Sequence, residues 1–287
     1  MDDSRSDAHA SHQPSFEWRQ FDQDNIRPRK ASFVFEDTIP KHWLSGSPTG
    51  THFFNAFTLF AVVIESYMVR VLREALPLVS DKEIARQVRG LMGQEATHAR
   101  AHERFLFNLR QQGYSIDRFL RIANFVFEEL LEKLGTKVNV SAIAGFEHLT
   151  ALVAEIVFSQ EMLKGAEPTM GELFAWHAAE ELEHKAVAFD LLKAMSGSYV
   201  LRATGAMFGA SIVLGLLGGC TIMLLSQDGE LLRKRTWREA ADLLFGRYQI
   251  GTRGFRMFAE YFRPPFHPSS RPTGHFAAPI LSPVSQH

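Results

Sequence analysis

The chain has 287 residues, 46% of them hydrophobic and 22% charged, and a net charge of −1. That is enough sequence to bury a sizeable core, and the balanced charge gives no basis for a nucleic-acid binder. Cys220 is the single cysteine, which excludes an internal disulfide and a cysteine-based zinc site.

Residues 1–45 are expected to form an irregular N-terminal arm. The first part is polar and reads as disordered, with no apolar stretch of signal-peptide type, so a cytoplasmic location is expected. The later part mixes Trp18, Phe33, Phe35 and Trp43 with charges and prolines, and reads as a strap over a core. Residues 45–51 carry turn and helix-cap chemistry.

A first helix is predicted over 52–76. Phe54, Phe57, Phe60, Val62 and Ile64 give it a broad apolar surface, and Pro77 closes it. Glu65 stands inside that surface, where an unpaired carboxylate would be costly. A second helix starts with Ser80 or Asp81 as its cap, and runs through Glu95 and His98 to Gln112, before Gly113. Residues 117–134 read as a connecting helix and 135–139 as a break. A third long helix covers 141–164 and contains Glu147, His148 and Glu155. After a turn at 165–168, Thr169 is expected to cap a fourth helix, with Glu172 as its capping-box partner. That helix runs to about Met195. Almost nothing in this region alternates with period two, so the fold class is all-α.

Two short-looped helix pairs joined by a long connection match the crossover topology of a ferritin-like four-helix bundle. The carboxylates and histidines then fall into a pattern. The first helix offers Glu65 and the third Glu147, while the second carries Glu95 and His98 three residues apart, and the fourth Glu181 and His184. One Glu from each of two helices and Glu-x-x-His from each of the other two is a dimetal-carboxylate arrangement. Glu65 and Glu95 are 30 residues apart, and Glu147 and Glu181 are 34 apart. Antiparallel hairpins of those lengths bring each pair to a similar height. His177 lies one turn before Glu181 on the same helix face and adds a third imidazole to the set, beside His98 and His184. Glu155 is the alternative to Glu147 on the third helix. His102 and His148 read first as core histidines, and Lys185 and Asp190 as groups that orient ligands. Glu180 and Glu183 are expected to be solvated or to support the ligands.

The segments FNAFTLFAVVIESYMVRVLRE, GQEATHARAHERF, FEHLTALVAE and WHAAEELEHKAVAFD resemble the bacterial family described as predicted metal-dependent hydrolases. That family is similar to ferritin-like di-iron proteins. Glu65, Glu95, His98, Glu147, His177, Glu181 and His184 also resemble the seven-ligand set of the di-iron arylamine N-oxygenases. One departure stands out: where the family has Pro-x-Gly-Glu at the first carboxylate, this chain reads Val-Val-Ile-Glu65.

Two transition-metal ions are therefore expected, iron before manganese or zinc, because the donors are carboxylates and imidazoles without thiolate. The leading chemistry is oxidation of a hydrophobic small molecule with dioxygen. Hydrolysis by a metal-activated water is the alternative, and a non-catalytic or storage role the third reading. Residues 203–226 hold no charge over 24 positions and carry Gly205/Gly209 and Gly215/Gly219 pairs. This apolar helix (201–228 with its flanks) either contacts a membrane or packs internally, within the chain or in a homodimer. A basic helical tail over 229–263 and a disordered end over 264–287 complete the expected organisation, beside the bundle domain over 46–200. The location expected is then cytoplasmic, at the inner membrane surface or embedded through 203–226.

Overall fold

Ser47 and Pro48 start the first long helix. The Ser47 hydroxyl accepts from the Gly50 N–H at 3.0 Å, and proline at the first helical position loses no bond. In the computed structural model, which describes residues 26–30, 32–36 and 38–282, this helix is α1 (Pro48–Ala75). Residues 1–25, where the polar arm and part of the strap were expected, lie outside the described residues. Asp81 caps α2 (Lys82–Gln111) by accepting from the Glu83 and Ile84 N–H groups. The connection holds α3 (Asp117–Asn124), a wider helical turn over Phe125–Leu131 and a tight turn over Glu132–Leu134. Gly135, at φ +83°, ends it, and α4 (Thr136–Ser159) follows at once. The expected break at 135–139 therefore shrinks to one glycine.

The expected fourth helix is two helices, α5 (Pro168–His184) and α6 (Val187–Met195). The cap is also different. Glu167, not Thr169, accepts from the Met170 N–H, because Pro168 takes the first helical position. The interruption falls at Lys185, whose ammonium donates to the Arg271 carbonyl and to Thr273 Oγ1. The described residues form an all-α bundle: α1 packs on α2 and α4, and α5 and α6 close against α2 and α4. The strap over 26–47 lies across this bundle. Trp43 donates to Asn55 of α1, and its carbonyl accepts from the Glu167 N–H.

Three further helices follow: α7 (Tyr199–Gln227), α8 (Lys234–Leu244) and α9 (Ile250–Glu260). Three of the helical segments are long and apolar enough to cross a membrane, namely Pro48–Leu78, Thr136–Ser159 and α7. The apolar windows of the first two are 72% and 89% buried inside the bundle, so their hydrophobicity is spent on the core; that of α7 is only 33% buried. One side of α7 packs tightly on α4. Gly205 lies against Ser141, and Gly209 meets the Ala142 carbonyl, where an added Cβ would stand 2.6 Å away. Gly215 and Gly219 face open space. The two glycine pairs thus have different surroundings.

The end of the chain departs from expectation. Residues 264–282, read as disordered from their proline and serine content, are ordered and include α10 (Gly274–Leu281), which packs on α5. The reason is the apolar content between the prolines: Phe266, Ala277 and Leu281 are buried. Arg271 anchors the segment to Glu155 at 2.8 Å and Glu260 at 3.1 Å.

Gly205→Ala is expected to lower stability by about 1–3 kcal/mol through overpacking against Ser141. Gly215→Ala is expected to leave stability unchanged or raise it slightly. Thermal unfolding of the two variants measures the difference.

Candidate metal centre

The centre is built where α1, α2, α4 and α5 face one another. Residues 177, 181 and 184 share one face of α5 because 3.6 residues make a turn. His177 Nε2 stands 3.1 Å from Glu181 Oε1, and His184 Nε2 stands 3.5 Å from Glu181 Oε2. The two oxygens of Glu181 therefore address two different imidazoles. From α1, Glu65 Oε1 comes within 3.7 Å of His177 Nε2. Glu95 of α2 and Glu147 of α4 approach His184 Nε2 at 3.3 and 3.2 Å. Glu65, His98 and His177 form one group whose ligand atoms all lie within 4.8 Å, and Glu95, Glu181 and His184 form another. Glu147 joins the second through His184.

Each imidazole is held from behind. His184 Nδ1 donates to Gln94 Oε1 at 3.0 Å, and the Gln94 amide donates to Glu183 at 2.7 Å. His98 Nε2 donates to Glu180 at 3.0 Å. His177 Nδ1 meets His102 Nε2 at 2.8 Å, and His102 Nδ1 meets Thr58 Oγ1 at 3.1 Å. If both histidines carry their proton on Nδ1, His177 Nε2 keeps a lone pair for a metal. The single Thr150 hydroxyl proton of α4 is shared between the Glu147 carbonyl and Glu181.

Among the described residues the inward atoms have no hydrogen-bond partner. They include Glu65 Oε2, both oxygens of Glu95 and of Glu147, His98 Nδ1, His177 Nε2 and His184 Nε2. Buried polar atoms without partners are costly and rare, and here they converge on one space. A cation is what satisfies such a set, and hard or borderline divalent metals suit its oxygens and imidazole nitrogens.

Electrostatics point the same way. Burial, then crowding by Glu95, Glu181 and Glu147, raises the Glu65 pKa well above the usual carboxylate range. Burial also raises Glu95, with His184 opposing it and Glu147 and Glu181 adding to it. Burial and neighbouring histidines lower His98 and His102, which keeps both imidazoles neutral. Burial opposes charge on His184, but Glu147 and Glu181 outweigh it and raise its pKa. The centre is short of positive charge.

Glu180 and Glu183 are not solvated. They lie on the adjacent face of α5 and share Arg29 of the strap, with contacts of 2.8 Å to Glu180 and 2.7 Å to Glu183. Of the other residues singled out by sequence, only His102 reaches the centre. Glu155 pairs with Arg253 and Arg271, because its place two turns beyond Glu147 carries it toward α9 and the C-terminal segment. His148 sits among Phe258, Tyr261 and Phe266, Asp190 binds His267, and Lys185 holds the C-terminal segment. Arg29, Gln94 and Thr150 escaped the sequence reading. Gln94 is beside Glu95 and Thr150 one turn after Glu147, so helical phase carried a signal for both; Arg29 lies in irregular chain and carried none. A separate group, His42, His52 and Asp228, also falls within reach of one ion. There Lys41 already ion-pairs with Asp228, so that group reads as a clasp between the strap and the end of α7.

Residues 27–271 match the family model described as "Predicted metal-dependent hydrolase". No curated protein and no solved structure matches the chain.

Elemental analysis of purified variants tests the ligand set. Glu181→Ala is expected to remove nearly all bound transition metal, since its oxygens address both groups. Glu65→Ala, which touches one group, should remove roughly half if two ions bind. His148→Ala should retain full metal content.

Proposed function

Because the chain belongs to the predicted metal-dependent hydrolase family, we propose that the centre is an enzyme site for two metal ions, iron in the first place, and that it oxidises a hydrophobic small molecule with dioxygen. The observation that carries this reading is the convergence of unpartnered carboxylate and imidazole atoms from four helices in a water-excluding core. Two irons bound there would supply the binding and reduction of dioxygen.

The protein's own part is positioning and exclusion. Gln94, Glu180 and His102 fix the three imidazoles, so little side-chain ordering remains when metal binds. Thr150 fixes Glu181. Arg29 offsets Glu180 and Glu183, which leaves the remaining carboxylate charge for the metals. Phe57, packed edge-on to His177 at 5.1 Å, and Trp176, edge-on to His98 at 4.8 Å, keep water from the imidazoles. Water exclusion favours oxidation, in which reactive species must be shielded. The family description favours a second reading, hydrolysis by a metal-activated water. On either reading the site works in the cytoplasm, at or near a membrane surface, with the partly buried α7 as the contact.

Loading the protein anaerobically with ferrous iron and then admitting oxygen separates the two. Oxygen uptake in proportion to bound iron is expected, and Glu95→Ala should abolish it. Full turnover with zinc in place of iron would overturn the oxidative reading and leave the hydrolytic one.

A further inference from the structure

We infer that the cavity between α1, α4, α7, α8 and α9 binds a single aliphatic chain, with the inner end of that chain against the metal centre. This rests on reading the buried cluster as the reacting site.

The cavity has a volume of about 500 Å³, within the range of small-molecule sites. Among the described residues no charged side chain lines it. The side-chain hydroxyls among its described lining residues belong to Thr49, Thr150, Thr221 and Thr236, and each already donates within the protein. The walls therefore offer a ligand no side-chain hydrogen-bond donor from these groups, and the contact available along them is apolar. The lining on α7 runs from Ala210 to Leu225, about 22 Å at 1.5 Å per residue. An elongated apolar space suits an extended hydrocarbon better than a compact ring.

Its inner end is one side chain from the metal ligands. Phe57 and Thr150 both line the cavity. The Phe57 ring packs edge-on against His177, and Thr150 donates to Glu181. Elsewhere the rim is apolar and exposed: Leu214 is 59% exposed, Ile222 52%, Trp237 59% and Phe255 74%. Clustered large apolar side chains in water mark a contact with apolar matter. The space itself is kept by glycines. A Cβ at Gly218 would meet nothing within 4 Å, and one at Gly254 would meet only Ile156 at 4.0 Å. Larger residues there would fill the cavity without displacing neighbours.

The test uses full-length, metal-loaded protein and the fluorescent fatty acid cis-parinarate. Saturable binding is expected, with displacement by palmitate and not by naphthalene. Gly218→Leu and Gly254→Leu should each weaken binding at least tenfold while metal content and unfolding temperature stay at wild-type values. No saturable binding, equal displacement by naphthalene, or unchanged affinity in both variants would overturn the proposal. Two arms separate the sources of the chain: palmitate free in solution, and phosphatidylcholine vesicles with a labelled acyl chain. Uptake from either supports the site and identifies its supply; uptake from neither overturns it. Cobalt-loaded protein tests the inner end, where palmitate should shift the visible absorption of the metal. Binding without that shift would overturn the placement against the centre. A protein that binds parinarate but holds no metal would sink the enzyme reading and the placement against the centre while leaving the chain site standing, and one that holds metal but no chain would sink this inference alone.

Discussion

Four carboxylates, Glu65, Glu95, Glu147 and Glu181, are buried around one space with too little positive charge beside them. Much of the surrounding structure answers to that constraint. Removing a carboxylate from water costs several kcal/mol unless a partner compensates it. Within the group, His184 is the imidazole whose charge Glu147 and Glu181 favour, and Glu65 and Glu95 are pushed toward their neutral forms. A bound cation removes the conflict. The same conflict explains why four helices are needed. One helix turns only three of these side chains, His177, Glu181 and His184, to a common face; the others must come from α1, α2 and α4.

The face of α5 beside His177, Glu181 and His184 has its own charge problem. Glu180 and Glu183 are also buried, and Arg29 meets both. The strap that carries Arg29 thus belongs to the electrostatics of the centre. Gln94 links the two faces, since its amide donates to Glu183 and its oxygen accepts from His184. The orientation of that amide follows from its partners: a carboxylate can only accept, so the nitrogen must face Glu183.

The apolar helix α7 shows how one composition serves two surroundings. Small residues on its inner side let it approach α4 closely, with Gly205 on Ser141, Ala206 on Gly145 and Gly209 on Ala142. Its other glycines keep space open, and Gly218 borders the long cavity that ends beside Phe57 and Thr150. The C-terminal segment packs α10 on α5 and ties Arg271 to Glu155. An acidic residue that spacing alone left as a possible ligand is held there in a structural ion pair.

The sequence by itself determined the helical class, the two hairpins and, apart from the choice between Glu147 and Glu155, the residues that the structure brings together. Those features are local or periodic: the phase of a helix fixes which residues share a face, and hairpin lengths fix which heights meet. Tertiary structure decided the rest. Whether Glu147 or Glu155 joined the centre depended on which neighbours each met, and Arg253 and Arg271 come from chain about 100 residues away. The burial of Glu180 and Glu183 depended on Arg29, which no periodicity locates. The order of residues 264–282 depended on an apolar surface of α5 available to receive them. The dual environment of α7 depended on how much of its circumference α4 and α1 cover, a quantity that hydropathy cannot contain because it measures the helix and not its neighbours.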